Sequence, residues 1–401
     1  MIDCRGDFPI LGQRVYGKPL AYLDSAATAQ KPEVVIRAVD EIHRATNANI
    51  HRGVHHLAEI TTESYEIARQ KVAHFIGASA SREVIFTAGA TSSLNLAAAS
   101  LCEMLLKSGD NIVLSRLEHH SNIVPWQIQC QRRGAEIRVI ELDDDGALIF
   151  DPTLIDERTK IVAVAEASNV LGTMPDLEPI IARAHQVGAV VVVDGCQGVV
   201  HSGVNVEQMG CDFYAFSGHK LYGPTGIGVL YGKEKWLEKM EPWQGGGDMI
   251  ASVSLSRGST WGDLPLKFEA GTPNFIGAIG LGVAVDYVSQ FAIEDIVKHE
   301  SDLYNLFAEE LMQIDGARIY GTTVGKSPIC SFTIDGTQPV DLAMIADKMG
   351  VAMRSGQLCA EPTLERYGVR TMCRASFAMY NNQTDCHQAI EAIAHAVKML
   401  K

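Results

Sequence analysis

Two ionisable residues follow apolar runs in the middle of the chain, where a parallel α/β sheet would present them to a ligand. Asp194 comes directly after the apolar run 189–193, and Lys220 follows the run 211–216. Unbroken apolar runs are typical of strands covered on both faces, and ligands of such sheets bind at the carboxyl ends of the strands. By itself, Asp194 fits two interpretations equally well, a contact with a ligand and a helix cap or turn. Lys220 nearby favours a chemical role.

A lysine at a strand end, beside glycines that allow close approach, is what a Schiff-base enzyme requires. Glycines lie close to Lys220 on both sides, at 218, 223, 226 and 228. With pyridoxal 5'-phosphate (PLP), the lysine amine would bond the aldehyde carbon, and the Asp194 carboxylate would keep the pyridine nitrogen protonated. The pair therefore predicts a PLP enzyme.

Three other predicted strands, 83–87, 111–115 and 161–165, also lead into polar residues. The first leads through small residues into a helix start, where backbone N–H groups could hold a phosphate; a simple capping turn is the alternative. Several polar strand ends that converge on a lysine predict a cleft. The residues brought to this edge are Thr91, His119, Asn169 and Asp194, with Gln197 close behind.

The elements that must position these residues predict an α/β protein of two domains, because 401 residues exceed what one core usually holds. Alternating strands and helices predict a large PLP-binding domain with a mainly parallel sheet over residues 19–290. The mixed pattern of helices and short strands predicts a smaller α+β domain, formed by residues 1–18 and 291–401.

Composition excludes several classes of function. A net charge of −14 argues against a nucleic-acid surface or an anionic membrane, and no apolar run approaches the ~18 residues of a membrane span. No signal peptide is recognisable, so we expect a cytoplasmic protein. The nine cysteines are scattered without a Cys-x-x-Cys pair, and His51, His55 and His56 lack a third type of ligand nearby. We therefore expect no metal site.

Two residues near the C-terminus have chemical and structural interpretations. Cys359 lies between Gly356 and Pro362, on a predicted loop, with Arg354 as a nearby cation that favours thiolate. A buried structural thiol is the commoner fate of a single cysteine. Arg374 stands in an apolar strand, where its charge needs a partner; a substrate carboxylate and a structural salt bridge both satisfy that need.

Five blocks of sequence together carry a family resemblance. They are Glu118-His119-His120, Asp194-Gly-Cys-Gln197, Ser217-Gly-His-Lys220, Glu269-Ala-Gly-Thr-Pro-Asn274 and Arg354-Ser-Gly-Gln-Leu-Cys359-Ala-Glu-Pro362. In order and spacing the chain resembles the group II cysteine desulfurase and selenocysteine lyase family, from Tyr22 to Phe377. The resemblance implies the fold type I PLP-dependent transferase architecture, with a seven-stranded sheet, and a homodimer.

The resemblance also implies roles for individual residues. The implied catalytic residues are Lys220, Cys359 and His119, with His119 stacked on the PLP ring. The implied PLP contacts are Thr91, Ser217 and His219 at the phosphate, Asp194 and Gln197 at the ring, Asn169, Lys220, and Thr272 at the phosphate of the other subunit. The implied substrate contacts are His51, Arg52, Asn169, Arg354 and Arg374.

The implied reaction takes sulfur or selenium from L-cysteine, selenocysteine or cysteine sulfinate and releases alanine. A persulfide on Cys359 would pass to a SufE-type acceptor for iron–sulfur cluster assembly. Two alternatives stay open. One is another class V PLP activity, such as an aminotransferase or epimerase without a cysteine nucleophile, and the other is a sulfur-carrier or scaffold partner with negligible turnover.

The chain departs from the family pattern in two places. The family usually has Arg-Gly-Thr-Thr-Glu where this chain has Ala88-Gly-Ala-Thr91-Ser92, so the hydroxyl is kept and the glutamate is lost. Gln357 and Leu358 replace two histidines common in relatives, which resembles the cysteine sulfinate desulfinase branch.

Overall fold

The computed structural model describes residues 2–401. Its strands are β1 (Arg14–Val15), β2 (Lys18–Pro19), β3 (Ala21–Tyr22), β4 (Val84–Thr87), β5 (Asn111–Ser115), β6 (Glu136–Leu142), β7 (Leu148–Ile149), β8 (Thr159–Ala165), β9 (Val190–Asp194), β10 (Phe213–Ser217), β11 (Gly228–Gly232), β12 (Ile250–Ser254), β13 (Gly258–Trp261), β14 (Ala317–Tyr320), β15 (Ile329–Ile334), β16 (Val351–Ala352), β17 (Arg354–Gly356) and β18 (Met372–Ser376).

The α-helices are α1 (Glu33–Glu41), α2 (His56–Phe75), α3 (Ala90–Leu105), α4 (Val124–Arg133), α5 (Glu178–Gln186), α6 (Gly198–His201), α7 (Val206–Met209), α8 (Glu234–Leu237), α9 (Phe275–Val288), α10 (Ile293–Leu311), α11 (Pro339–Lys348), α12 (Glu361–Arg366) and α13 (Gln383–Leu400). Short 3-10 helices lie at Arg5–Asp7, Pro9–Gly12, Ser81–Glu83, His120–Asn122, Pro152–Leu154 and Leu266–Phe268, and a π-helical turn at Ile42–Thr46.

The central sheet has eight strands in the order β4-β11-β10-β9-β8-β5-β6-β7. The pairs from β10 to β6 are parallel, whereas β11 runs antiparallel to both of its neighbours. The predicted seven-stranded, mainly parallel sheet corresponds to β4, β11, β10, β9, β8, β5 and β6, and the structure adds one short strand at its edge. The additional strand is β7, which is two residues long, pairs antiparallel with β6 at the edge, and is too short to be recognised from the sequence.

The buried strands of this sheet pack on both faces. In β9, Val191 and Val193 belong to one hydrophobic cluster, while Val190 and Val192 belong to another on the opposite face. This division follows from the period of two in a strand. Because all four side chains are fully buried, each contributes about 1.5–3 kcal/mol to stability. The predicted unbroken apolar run is thus confirmed as a doubly covered strand.

A second sheet, antiparallel and in the order β14-β15-β18-β17, shares a hydrophobic cluster with α10, α11 and α13. The N-terminal strand β3 pairs in parallel with β16. Beyond it, Asp24 forms a β-bridge with Ser376 at the end of β18. This pairing brings residues from both ends of the chain together. The division into residues 19–290 and residues 1–18 with 291–401 stays a prediction.

No single helix within residues 2–401 has both the length and the apolarity of a membrane span. The consecutive helices α9 and α10, which meet at 83°, reach that length and composition only when they are counted together.

Candidate active site

The carboxyl ends of the parallel strands open into a cavity of about 520 Å³. Loops from the second sheet form its other side. Eleven of the predicted site residues line it, namely Thr91, His119, Asn169, Asp194, Gln197, Ser217, His219, Lys220, Arg354, Cys359 and Arg374. The residues that strand-end reasoning placed at one edge of the sheet therefore line the same cavity as Arg354, Cys359 and Arg374 from the C-terminal part of the chain.

Three predicted site residues lie outside this cavity. Thr272 is exposed on the segment before α9. The ring Nε2 of His51 is 3.3 Å from Glu66 Oε1, and Arg52 Nε is 2.6 Å from Asp248 Oδ1. Within a single chain His51 and Arg52 therefore have other partners, and the predicted contacts of all three residues with PLP or substrate stay predictions.

Asp194 ends β9 and is almost fully buried. Its Oδ1 accepts the main-chain N–H of Cys196 at 3.0 Å. Its other oxygen accepts no hydrogen bond from residues 2–401. The turn interpretation and the ligand interpretation are therefore compatible, because one oxygen stabilises the turn and the other is available to the cavity.

Lys220 lies one turn beyond β10. Its main-chain N–H bonds to Ser217 O at 3.3 Å, and its Nζ makes no hydrogen bond to any described residue. The amine is therefore not committed to a structural contact. The neighbouring Ser217 Oγ accepts the N–H of Ala90 at 2.8 Å, which ties the end of β10 to the start of α3.

Two glycines allow β11 to lie close to the start of α3. Gly89 precedes α3 with a φ of 152°, a backbone conformation that residues with a side chain rarely adopt. A Cβ on Gly228 would lie 2.4 Å from Gly89 Cα. The absence of both side chains lets β11 and the start of α3 approach closely, with Thr91 in the first turn of the helix.

His119 follows β5 and is neutral at pH 7. Burial lowers its pKa to about 4, and the nearby Lys220 ammonium acts in the same direction. Its Nδ1 accepts the main-chain N–H of Ser121 at 3.1 Å, so the proton of the neutral ring resides on Nε2. The ring can therefore lie against another aromatic ring and donate one hydrogen bond.

Two buried acids to which the sequence analysis assigned no role lie close to Asp194. Burial raises the pKa of Glu118 to about 8 and that of Glu166 to about 7, and the charge of Asp194 adds to both shifts. Glu118 accepts from Asn122 Nδ2 at 2.6 Å, and Glu166 accepts from Tyr214 Oη at 2.5 Å. Glu118 also accepts the main-chain N–H of Ala165 at 2.9 Å, so this bond joins the ends of β5 and β8, and the Glu166–Tyr214 bond joins the end of β8 to β10.

Arg374 in β18 is buried, and its partners were not predicted. Its guanidinium donates to Asn169 O at 2.8 Å and to Asp24 Oδ1 at 3.3 Å, while its buried Nε has no partner. Arg354 Nε lies 3.5 Å from Asp24 Oδ2. The sequence signal for Asp24 was available, since it follows a short strand as Asp194 does. An incompletely paired arginine that lines a cavity is suited to bind a carboxylate.

Cys359 is exposed, whereas the other eight cysteines are buried. Leu358 and Cys359 have φ of 56° and 55°, a left-handed conformation that costs about 1–2 kcal/mol for each non-glycine residue. Two hydrogen bonds hold this loop, from Asn169 Nδ2 to Leu358 O and from the N–H of His120 to Cys359 O, each at 2.8 Å. In this structure the Asn169 amide therefore positions the cysteine loop.

Comparison with known proteins identifies the family. A family model described as aminotransferase class-V matches residues 21–388. The chain belongs to this class V aminotransferase family. A cysteine desulfurase of Klebsiella pneumoniae (strain 342) is 49% identical over 398 residues, which cover 99% of this chain and 98% of that protein.

Two solved structures support the assignment to this class V family. The cysteine desulfurase CsdA of Escherichia coli aligns with a TM-score of 0.91 and 40% identity, and apo cysteine desulfurase of Thermococcus onnurineus NA1 with 0.92 and 37%. Each alignment covers 99% of this chain and 98% of the other. The predicted α/β fold and the PLP cofactor of this class V enzyme are confirmed.

Proposed function

We propose that this class V enzyme is a PLP-dependent cysteine desulfurase that converts L-cysteine to L-alanine and retains the sulfur as a persulfide on Cys359. The observation that carries the proposal is the single exposed cysteine on a loop that lines the same cavity as Lys220, Asp194 and Arg374. The similar proteins named cysteine desulfurase support it.

The groups in the cavity fit PLP and an amino-acid substrate. Hydroxyl, imidazole and backbone donors near the start of α3 suit a phosphate, the free oxygen of Asp194 suits a pyridinium, and the unpaired amine of Lys220 suits an aldehyde. PLP, when bound, supplies the electron sink that stabilises negative charge on the substrate carbon. Thr91, Ser217, His219, Gln197 and His119 would complete its binding site.

The chain's own groups account for the remaining steps. The Lys220 amine takes the α-proton, and the Cys359 thiolate attacks the substrate sulfur. A sulfur–sulfur bond forms, the carbon–sulfur bond breaks, and its electron pair stays on carbon, which takes a proton and leaves as alanine. The acquired sulfur remains on Cys359 at the surface.

A product assay tests this proposal. With L-cysteine, we expect equal amounts of alanine and Cys359 persulfide in a single turnover without an acceptor. A keto acid without persulfide would instead indicate an aminotransferase, and negligible turnover with an acceptor present would indicate a carrier or scaffold. Parallel assays with selenocysteine and cysteine sulfinate determine the preferred substrate.

Arg374→Lys is expected to raise the KM for L-cysteine about ten- to hundredfold, because an ammonium keeps the charge but cannot bind a carboxylate with two parallel bonds. Steady-state kinetics measures the effect. Arg318→Lys is the matched control, since Arg318 is an exposed residue of β14. An unchanged KM in a folded Arg374→Lys protein would show that Arg374 serves only as a partner of Asp24.

Asp194→Asn is expected to retain PLP but to lower kcat about 10²- to 10³-fold, the range for losing one group that stabilises developing charge. Asparagine can still accept the N–H of Cys196, so the turn survives while the charge is lost. PLP content by absorbance and kcat by alanine release are the measurements. Wild-type kcat would show that Asp194 only stabilises the turn.

We propose a homodimer with shared sites, which would account for the three predicted residues that lie outside the cavity of their own chain. Thr272 would reach the partner's phosphate site, and His51 and Arg52 would lie near the partner's substrate. Sedimentation velocity tests the dimer. If it is correct, Thr272→Val weakens PLP binding although Thr272 lies outside the cavity of its own chain; a fully active monomer would contradict it.

The partner to which sulfur passes is proposed to be a SufE-type acceptor for iron–sulfur cluster assembly, in the cytoplasm. The exposure of Cys359 supports transfer to another protein. A SufE-type protein should raise the multiple-turnover rate and remove the persulfide from Cys359. A SufE-type protein whose acceptor cysteine is replaced by serine should do neither.

A further inference from the structure

His219 lines the cavity next to Lys220, and only one of its ring nitrogens has a partner among residues 2–401. Nδ1 lies 3.2 Å from Thr28 Oγ1, while Nε2 forms no hydrogen bond to the chain. Burial lowers the pKa of His219 to about 4, and the charges of Lys220 and Lys31 add to this shift, so the ring is neutral at pH 7. A neutral imidazole carries its proton on one nitrogen only. That choice decides whether the ring offers the cavity a donor or an acceptor.

The hydroxyl of Thr28 has three polar neighbours. Lys31 Nζ lies 3.4 Å from Thr28 Oγ1, and the carbonyl oxygen of His219 lies 3.3 Å from it, in addition to the ring Nδ1. Burial lowers the pKa of Lys31 to about 8, so at pH 7 it remains mainly an ammonium, which can only donate. The hydroxyl oxygen therefore accepts from Lys31. Its own hydrogen is left for either the carbonyl or Nδ1.

The carbonyl oxygen of His219 already has two donors. It accepts the main-chain N–H of Ala29 at 3.1 Å and the Lys31 ammonium at 3.1 Å. A carbonyl oxygen has two lone pairs, and these two bonds occupy both. The Thr28 hydrogen therefore points to Nδ1 of His219. Because Nδ1 accepts, the ring proton must lie on Nε2.

We propose that Thr28 and Lys31 are positioning residues that hold His219 as its Nε2–H tautomer, so that the ring donates a hydrogen bond to an anionic group in the cavity. This part rests on the proposed function, under which the anion is the phosphate of PLP. The opposite tautomer would direct a lone pair at a phosphate oxygen. Neither Thr28 nor Lys31 lines the cavity, so both act through His219.

The direct test is the tautomer itself. Long-range ¹H–¹⁵N spectra of full-length protein labelled at histidine, with and without PLP, report the protonated nitrogen, and His219→Gln identifies the signals. We expect the Nε2–H form in the wild type and in Thr28→Ser, which keeps the hydroxyl. Thr28→Val should lose the preference. Lys31→Met should yield a mixture, because it frees a lone pair on the His219 carbonyl that competes for the Thr28 hydrogen.

The second readout is the Kd of PLP, measured by reconstitution of the cofactor-free protein. Thr28→Val should weaken PLP binding about tenfold through the loss of one charge-assisted hydrogen bond, and Thr28→Ser should restore it. An Nδ1–H ring in the wild type, or an unchanged tautomer and Kd in Thr28→Val, would overturn the proposal. A wild type with the Nε2–H ring that binds no PLP would contradict the proposed function and leave the tautomer assignment standing.

Discussion

Lys220→Ala is expected to abolish turnover of every amino-acid substrate, with a fall in kcat on the order of 10⁴-fold or more, as is typical when a nucleophile or general base is removed. The physical reason lies in the surroundings of Lys220. Its amine makes no structural hydrogen bond, so the substitution removes the group that bonds PLP and takes the α-proton without removing a contact that stabilises the fold. Alanine release measures turnover, and visible absorbance shows whether the lysine-bound form of PLP is lost.

Lys220→Arg separates the two possible contributions of the lysine. Arginine keeps a positive charge in the cavity but remains protonated at any working pH, so it can neither bond an aldehyde nor accept a proton. We therefore expect Lys220→Arg to be as inactive as Lys220→Ala. Activity that returns with arginine would mean that Lys220 acts through its charge alone, and that the assignment as the PLP-bonding residue is wrong.

Cys359→Ala is expected to keep PLP but to lose L-cysteine desulfuration by about 10⁴-fold, again the size expected for removal of a nucleophile. A thiol of pKa ~8.5 is a poor leaving group at neutral pH, so sulfur must be drawn off by a nucleophile. Selenium forms a weaker bond to carbon, and sulfinate leaves without assistance. A substantial part of the activity toward selenocysteine and cysteine sulfinate should therefore remain.

The matched control is Cys386→Ala in α13, because its thiol is buried in the hydrophobic cluster of the second sheet and cannot meet the substrate. We expect a small loss of stability and unchanged desulfuration. Mass spectrometry of wild-type protein after one turnover should place the additional sulfur on Cys359. Sulfur found on Cys373 or Cys386, or normal desulfuration by Cys359→Ala, would refute the nucleophile assignment.

The alternating pattern of strands and helices made much of the large sheet predictable. The run 189–193 before Asp194 is apolar without interruption, because a strand covered on both faces leaves no position for a polar residue, and the next residue lies at the sheet edge. The run before Lys220 is apolar over residues 213–216, after the buried Asp212. The edge strands were less predictable. Strand β7 consists of two residues whose only support is its pairing with β6, so no local pattern marks it.

Some site features depended on tertiary contacts that no local pattern encodes. Arg374 and Asp24 are 350 residues apart and meet through the pairing of the N-terminal segment with the second sheet. The exposure of Cys359 and its left-handed backbone depend on hydrogen bonds from Asn169 and from the segment after His119. The sequence could indicate that Cys359 lies on a loop, but not that the loop faces the cavity.

By itself, the sequence determined which chemical groups the protein has and the order in which the strands deliver them, because residue type and strand periodicity are local properties. The pair Asp194 and Lys220, and with it the PLP chemistry, followed from those properties. Only the tertiary structure decided the state of each group. The neutral charge of His119, the unpaired Nε of Arg374 and the proton position on His219 all depend on burial and on partners from distant segments.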